Sequence, residues 1–269
     1  MEFTLPIIML ILGLGLVAGY LAGFVGVGGG IIMVPVLLEL FRAWGVPDEV
    51  VVQAAMGTSL GVAVFSVSSG IIRHGRQKRI FWRLVPMLAP GCLLGGWLGA
   101  RLAATVPGTT LQLILAGLMA LAAVRMLTDK TAGNSSHHRR IPWWQGLLVG
   151  LGVGLVAGLS GLAGGIVLIP ALSILLGLPT GWLAGTSSAV IIFSSLAAGL
   201  TYLTATPVMT PGDGFTGFVA LPVVGLLVIS AIPAAQLGAW TNRRVRGVVF
   251  RRFFAVLMLL VVARLLLSL

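Results

Sequence analysis

GVGGGIIMVP at positions 26–35 returns in altered form as GLAGGIVLIP at positions 161–170, and this pair of stretches decides the fold. Five of the ten residues are identical, and the others are exchanged for similar ones. Two further blocks repeat in the same order: GTSLGVAVFS at 57–66 with GTSSAVIIFS at 185–194, and LMALAAVRML at 118–127 with LMLLVVARLL at 257–266. The offsets are 135, 128 and 139 residues, so the chain contains two homologous halves.

The residues around these blocks have the composition of a membrane protein. Hydrophobic residues make up 58% of the 269 positions, charged residues only 9%, and the mean hydropathy is +1.10. A soluble domain carries about a quarter charged residues, whereas apolar stretches of about 20 residues recur here, as bilayer-spanning helices require. The alternation typical of an outer-membrane barrel is absent. The sequence therefore predicts an all-α polytopic membrane protein, and its 38 Gly and 13 Pro predict closely packed, interrupted or kinked helices.

The net charge of +11 is concentrated in short loops between apolar segments. Thirteen of the 17 Lys and Arg lie in 73–83, 128–144 and 241–252, a distribution that marks the cytoplasmic side and suits contact with anionic lipid headgroups. This placement predicts membrane lipids, and not nucleic acid, as partners of the basic residues. Loops 105–110 and 204–216 carry no Lys or Arg and are predicted to lie outside.

These loops give the repeated helices opposite directions. Helix 109–127 is predicted to run inward and its repeat partner 253–268 outward, while helix 51–72 ends inside and its partner 182–203 ends outside. The predicted fold is therefore two inverted-topology repeats, with glycine-interrupted or re-entrant helices at the repeat interface, an architecture typical of secondary transporters. Its predicted parts are a first transmembrane repeat at 1–127, a basic cytoplasmic linker at 128–144 and a second, inverted repeat at 145–269.

The N-terminal stretch MEFTLPIIML has no basic residue, and the apolar run that follows contains no small-residue cleavage site. It is therefore interpreted as a retained first helix and not as a signal peptide. The predicted location is the bacterial inner membrane, as a multi-pass protein with both termini outside.

Each half has a glycine-rich break after its first apolar segment, followed by a short segment at 31–41 or 166–178. Consecutive glycines weaken a helix by about 1 kcal/mol each. Close packing of helices would explain them, and so would an unwound stretch whose N–H and C=O groups face a cavity at membrane depth. Repetition in both halves, each time followed by a proline (Pro35 and Pro170), favours the interrupted helix, and the prolines are assigned a structural role.

A Gly-Thr-Ser motif follows the break in each half and is predicted to lie close to the start of a long apolar helix. A helix start offers free amides and about half a positive charge, and hydroxyl groups there can donate to an anion. Ordinary capping, or a hydroxyl bond between helices, is the alternative. The candidate substrate-binding residues are Gly28, Gly29, Gly30, Gly57, Thr58 and Ser59 in the first half, and Gly161, Gly164, Gly165, Gly185, Thr186, Ser187 and Ser188 in the second.

Groups for other chemistry are sparse in the apolar segments. Cys92 is the only cysteine, which excludes an intramolecular disulfide, and Glu39 is the only carboxylate inside an apolar segment. No carboxylate pair, His–carboxylate set or Ser/His/Asp arrangement occurs there, so we predict no catalytic residue, cofactor or metal site and no enzyme. The residues expected to reach headgroups or solvent are Arg101, Arg125, Arg264, His137 and His138.

The combination of these motifs resembles the sulfite exporter TauE/SafE family. A GxGGGxxxVP stretch, a Gly-Thr-Ser helix, a basic hairpin and a helix containing APG and LGARLA follow one another, and the set then returns. The matching break glycines are Gly26, Gly28, Gly29 and Gly30, and then Gly161, Gly164 and Gly165. Two positions depart from the pattern, because Ala163 stands where the first half has Gly28, and Trp240 stands where it has Arg101.

The resemblance implies transport of sulfite or of small organosulfonates such as sulfoacetate. The membrane potential favours export as well, since each negative charge that leaves a negative cytoplasm gains about 2.3 kcal/mol per 100 mV. We therefore predict a secondary transporter that exports a small anion. An anion channel, an uptake system for another small oxyanion or carboxylate, and a receptor-like membrane subunit are alternatives, and an intramembrane enzyme is the least supported.

Overall fold

The computed structural model describes residues 3–128, 142–172, 178–207 and 211–242, together with positions 209, 259, 262 and 263. Within these ranges the chain forms nine helices and one two-stranded sheet. The elements are α1 Leu5–Val25, α2 Gly30–Ala43, α3 Asp48–Arg76, α4 Val85–Thr105, α5 Gly108–Thr128, α6 Trp143–Ser160, α7 Gly165–Pro170, α8 Thr180–Thr204, β1 Phe215–Thr216, β2 Val219–Ala220 and α9 Leu221–Thr241.

The prediction of an all-α polytopic membrane protein is confirmed. Six of the described helices are long and apolar enough to cross a membrane, and each exposes large apolar side chains that suit a lipid environment. These helices are α1, α3, α4, α6, α8 (from Gly181) and α9. Three of them, α1, α4 and α9, have a proline in the first turn, where it is favoured because its missing N–H has no intrahelical role.

The first helix of each half packs against the fourth helix of the other half. In one seam, a Cβ built on Gly19 of α1 would lie 2.5 Å from the Cα of Ala231 of α9. In the other seam, a Cβ built on Gly154 of α6 would lie 2.5 Å from the carbonyl oxygen of Cys92 of α4. The two contacts are related by the same offsets as the sequence repeats. Glycine at these positions therefore allows the backbones to touch, as in other close-packed membrane helices.

Both seams join parallel helices. Gly23 of α1 meets Ala235, four residues beyond the Gly19–Ala231 contact, and the second seam advances in the same way. One end of the bundle therefore holds the end of α9 and the loop before α4, where Arg79 donates to Asn242 Oδ1 at 3.4 Å. The basic loop 73–83 lies at this end, and Asp213 lies at the other. Each half makes the same contacts with the other, as a twofold relation between the halves requires. The inverted orientation of the halves in a membrane stays a prediction.

The segment before α9 differs from the sequence prediction, in which the loop 204–216 leads directly into a helix. A short antiparallel hairpin pairs Phe215 with Ala220 and Thr216 with Val219, and the helix begins only at Leu221. The hairpin turns at Gly217, whose φ of +58° lies in the left-handed region that glycine adopts at no steric cost.

Several predicted features lie outside the described residues. They are the linker positions with His137 and His138, part of the segment 166–178, most of the basic loop 241–252, most of the helix 253–268, and the side chains of Arg125 and Arg264.

Candidate functional site at the crossing of two glycine breaks

Both glycine-rich stretches interrupt a helix, as the sequence predicts. α1 ends at Gly26 with φ +78°, and the chain turns back through Gly28 and Gly29, with φ of +89° and +76°, into α2. The second break repeats this conformation 135 residues later: Gly161, Ala163 and Gly164 have φ of +68°, +57° and +81°. Such angles cost a residue with a side chain about 1–2 kcal/mol, so glycine is favoured where the chain reverses, and Ala163 is the exception in the second break.

The two breaks cross and touch at the centre of the bundle. A Cβ built on Gly28 would lie 2.6 Å from the Cβ of Ala163, its own repeat partner. A Cβ built on Gly30 would lie 2.7 Å from the carbonyl oxygen of Gly161, and one built on Gly165 would lie 3.0 Å from that of Gly26. The predicted break residues of both halves are thus brought together at one place.

Ala163 explains the first departure from the repeated pattern. It is fully buried, and its methyl group fills the space that Gly28 leaves at the crossing. A second methyl group at position 28 would not fit, because carbon atoms 2.6 Å apart overlap strongly. One of the two partner positions therefore has to be glycine.

The Gly-Thr-Ser motifs are not at helix starts, and that part of the sequence prediction is wrong. α3 begins at Asp48, ten residues before Thr58, and α8 begins at Thr180, six residues before Thr186. Only the first four N–H groups of a helix lack an intrahelical partner, so neither motif offers free amides. The cause is visible in the sequence, since Pro47 and Pro179 each precede the true helix start.

The serines of these motifs hold the break of the opposite half. The Ser59 hydroxyl donates to the carbonyl oxygen of Gly161 at 3.1 Å, and the Ser187 hydroxyl donates to that of Gly26 at 2.7 Å. Both serines are fully buried. At 1.5 Å per residue, Ser59 lies about 16 Å from the start of α3, and Ser187 lies about 10 Å from the start of α8. The breaks therefore lie deep in the bundle and not at its ends.

The threonines contact the segments that precede the fourth helix of each half. Thr58 Oγ1 accepts a hydrogen bond from the backbone N–H of Ala220 at 3.0 Å, and Thr186 Oγ1 accepts one from that of Phe81, also at 3.0 Å. Each hydroxyl keeps its hydrogen to donate. These segments, the hairpin 215–220 and the loop 77–84, cover the crossing from opposite ends, and we call them the 215–220 cap and the 77–84 cap.

The motif glycines give these caps room to approach. A Cβ built on Gly57 would lie 3.0 Å from the carbonyl oxygen of Phe218, in the 215–220 cap. Gly185 stands against the backbone of Arg79, in the 77–84 cap, and a Cβ on it would lie 3.1 Å from the Cβ of His74. Both predicted glycines are therefore explained by close contact with the opposite half.

The first break carries buried hydrogen-bond donors without partners. Gly28, Gly29 and Gly30 are buried, and their N–H groups make no hydrogen bond to any residue that the structure describes. Most buried backbone N–H groups in proteins are paired, and those at the start of α2 also carry the positive end of its helix dipole. Donors of this kind can bind an anion.

Residues outside the predicted set complete the crossing. Ser194 donates to the carbonyl oxygen of Ala163 at 3.1 Å, and Ser195 is fully buried beside it. Ser194 lies in the repeated block, but nothing in the sequence showed which face of the helix meets the breaks. Pro35 lies inside α2 and Pro170 ends α7, and their structural roles stay a prediction. Arg101 stacks over Trp97 at 4.8 Å on the exposed surface, away from the crossing.

Comparisons with known proteins place the chain among membrane transporter sequences. The sequence model described as sulfite exporter TauE/SafE matches residues 11–265. A probable membrane transporter protein of Methanocaldococcus jannaschii is 28% identical over 245 residues, which cover 91% of this chain and 89% of the relative. Probable membrane transporter proteins of Haemophilus influenzae and Bacillus subtilis are 24% and 26% identical, over 94% and 87% of this chain and 96% and 90% of the relatives. No solved structure matches the chain significantly.

Proposed function

This chain belongs to the sulfite exporter TauE/SafE family, and we propose that it is a secondary transporter that exports sulfite or a small organosulfonate such as sulfoacetate across the bacterial inner membrane. The observation that carries the proposal is the crossing of the two glycine breaks. Buried N–H donors of Gly28, Gly29 and Gly30 lie there, and oxyanions accept hydrogen bonds from such groups.

In each half, the motif threonine holds a cap that belongs to the other half. This arrangement suits a transporter that alternates between two open states. The 215–220 cap is bonded to Thr58, and the 77–84 cap is bonded to Thr186 at the opposite end of the bundle. Opening one cap breaks its hydrogen bond to the threonine of the other half, worth about 1 kcal/mol net, and separates its buried apolar residues from the bundle, while the other cap stays closed. The anion would then reach the crossing from one side at a time.

The lack of a carboxylate at the crossing, among the residues that the structure describes, agrees with transport driven by the membrane potential. A monovalent anion gains about 2.3 kcal/mol per 100 mV when it leaves a negative cytoplasm, and a dianion gains about twice that. The substrate here would be held by neutral donors and expelled by its own charge.

The test is flux in liposomes that contain the purified protein and are loaded with radiolabelled sulfite or sulfoacetate. We expect efflux that saturates with concentration, accelerates when the interior is made negative, and is inhibited by the other sulfur anion. Acetate, sulfate and chloride serve as comparison anions, and protein-free liposomes give the leak. Flux that rises linearly with concentration would identify a channel. Flux of acetate without flux of either sulfur anion would indicate that the substrate is a carboxylate. The absence of flux for every anion would overturn the proposal.

A further inference from the structure

Helix α8 passes both glycine breaks and binds each of them with one serine. The Ser187 hydroxyl donates to Gly26 of the first break at 2.7 Å, and the Ser194 hydroxyl donates to Ala163 of the second at 3.1 Å. These serines are seven residues apart, which is about two helical turns or 10 Å along the axis. The spacing of these two serines along α8 therefore matches the spacing of the two carbonyl oxygens that they bind, one in each break.

A second pair of serines follows at the same spacing. Ser188 and Ser195 come directly after the two bonded serines, so they lie at the same two levels but are turned by about 100° around the helix. Both residues are 0% exposed. Neither hydroxyl has a hydrogen-bond partner in the described part of the chain. Two buried hydroxyls without partners on one helix face are uncommon in a folded protein.

Serine and threonine in an apolar helix normally donate to a carbonyl of their own helix. Ser68 donates to Val64 at 2.6 Å, and Thr201, one turn and a half beyond Ser195 on α8, donates to Ala197 at 2.8 Å. Ser188 and Ser195 do not use this option. Their donors remain available for another partner.

Packing alone does not require hydroxyl groups at these levels. The repeat offset of 128 residues places Leu60 and Val67 of α3 opposite Ser188 and Ser195 in the alignment, and both are buried apolar residues. The first half thus fills the equivalent positions with hydrocarbon. The free hydroxyls are a feature of the second half only, which makes the two halves unequal at the crossing.

We propose that Ser188 and Ser195 form two successive binding stations for the transported oxyanion, one level with each glycine break. This inference rests on the proposed function and adds the path along α8. A hydroxyl donates to an anion oxygen without bringing a fixed charge into the membrane. Because the stations are about 10 Å apart along the helix, an anion as small as sulfite occupies them in turn.

The first test compares Ser188→Ala and Ser195→Ala with Thr201→Val, which removes a hydroxyl that is already bonded within its own helix. We expect each alanine variant to raise the half-saturating concentration of sulfite or sulfoacetate at least tenfold, which corresponds to about 1.4 kcal/mol. The melting temperature of both variants should stay equal or rise, since each loses a buried hydroxyl without a partner. The control should transport like the wild type.

The second test needs no knowledge of the substrate. In a Cys92→Ala background, Ser188→Cys and Ser195→Cys should react faster with the anionic reagent methanethiosulfonate ethylsulfonate than with its cationic trimethylammonium counterpart. Ala198→Cys, buried on the same helix, is the control and should react with neither. If the wild-type protein transports neither sulfur anion but both cysteines react preferentially with the anionic reagent, the proposed substrate is wrong and the proposal of two binding stations is supported. Alanine variants with raised stability and unchanged anion affinity, or two unreactive cysteines, would overturn the stations.

Discussion

At the scale of single residues, the contact between Gly28 and Ala163 fixes how closely the two breaks approach. Adding a methyl group at position 28 overpacks the crossing, at a cost of about 1–3 kcal/mol, and places a side chain in a left-handed conformation, at a further cost of about 1–2 kcal/mol. Gly28→Ala should therefore lower the melting temperature in detergent and slow anion flux.

The reciprocal exchange tests whether this contact is the cause. Gly28→Ala combined with Ala163→Gly moves the one methyl group from the second break to the first and keeps the total volume. We expect the double variant to recover most of the stability and flux that the single variant loses. A double variant as unstable as Gly28→Ala would show that position 28 requires glycine for another reason.

Gly29 allows the strain of a left-handed residue to be separated from the need for space. Gly29 and Gly45 both have φ of +76°, but a Cβ on Gly29 would lie 3.1 Å from the carbonyl carbon of Ala18, whereas a Cβ on Gly45 meets nothing within 4 Å. Gly45→Ala should cost only the conformational term, about 1–2 kcal/mol. Gly29→Ala should cost more and reduce transport, because it also pushes α2 away from α1. Equal melting temperatures for the two variants would contradict the close approach.

At the scale of helices, the seams between α1 and α9 and between α4 and α6 depend on small residues at defined positions. Gly19 and Gly154 stand at backbone contacts, while Gly13 and Gly152 on the same two helices have nothing within 4 Å. Gly19→Ala and Gly154→Ala should destabilise the protein by about 1–3 kcal/mol through overpacking. Gly13→Ala and Gly152→Ala should leave it unchanged or stabilise it by up to about 1 kcal/mol, since alanine is the better helix former.

Thermal unfolding of the four variants in one detergent checks this prediction. The control glycines differ from the seam glycines only in what their added methyl group meets. Losses of equal size at all four positions would mean that helix flexibility, and not contact between backbones, explains the glycines.

The helices could be predicted from the sequence more reliably than the placement of motifs on them. Apolar length and loop charge predict helices at about 5–25 and at 84–104, within one residue of the observed bounds of α1 and α4, because each has a proline in its first turn. The helix predicted at 51–72 begins three residues earlier, at Asp48, because Asp48 and Glu49 follow Pro47 and form its acidic first turn. The 215–220 hairpin was missed because strands of two residues leave no periodicity to detect.

At the scale of the whole molecule, the repeat predicted that the two breaks meet, and they do. What the repeat could not predict is which hydroxyls remain without partners. That depends on the rotation of α8 relative to its neighbours, and an apolar helix surrounded by apolar helices and lipid has no polar face from which this rotation can be read. Ser195 therefore entered the site only from the structure, whereas Ser188 was found through its neighbours in the motif.

The orientation of the halves in the membrane gives the last prediction. Arg76 and Thr204 end α3 and α8, are exposed, and are repeat partners at an offset of 128 residues. Inverted halves place these partners on opposite sides of the membrane, whereas halves repeated in the same orientation would place both on one side. The basic loop that begins at Arg73 assigns Arg76 to the cytoplasm.

In a Cys92→Ala background, a membrane-impermeant maleimide should therefore label Thr204→Cys in intact cells and Arg76→Cys only after the cells are permeabilised. Asp213→Cys, exposed beyond the end of α8, serves as a second outside position. Labelling of Arg76→Cys alone in intact cells would reverse the orientation but preserve the inversion. Labelling of Arg76→Cys and Thr204→Cys from the same side would exclude inverted halves, and with them the alternation between two opposite caps on which export through this crossing depends.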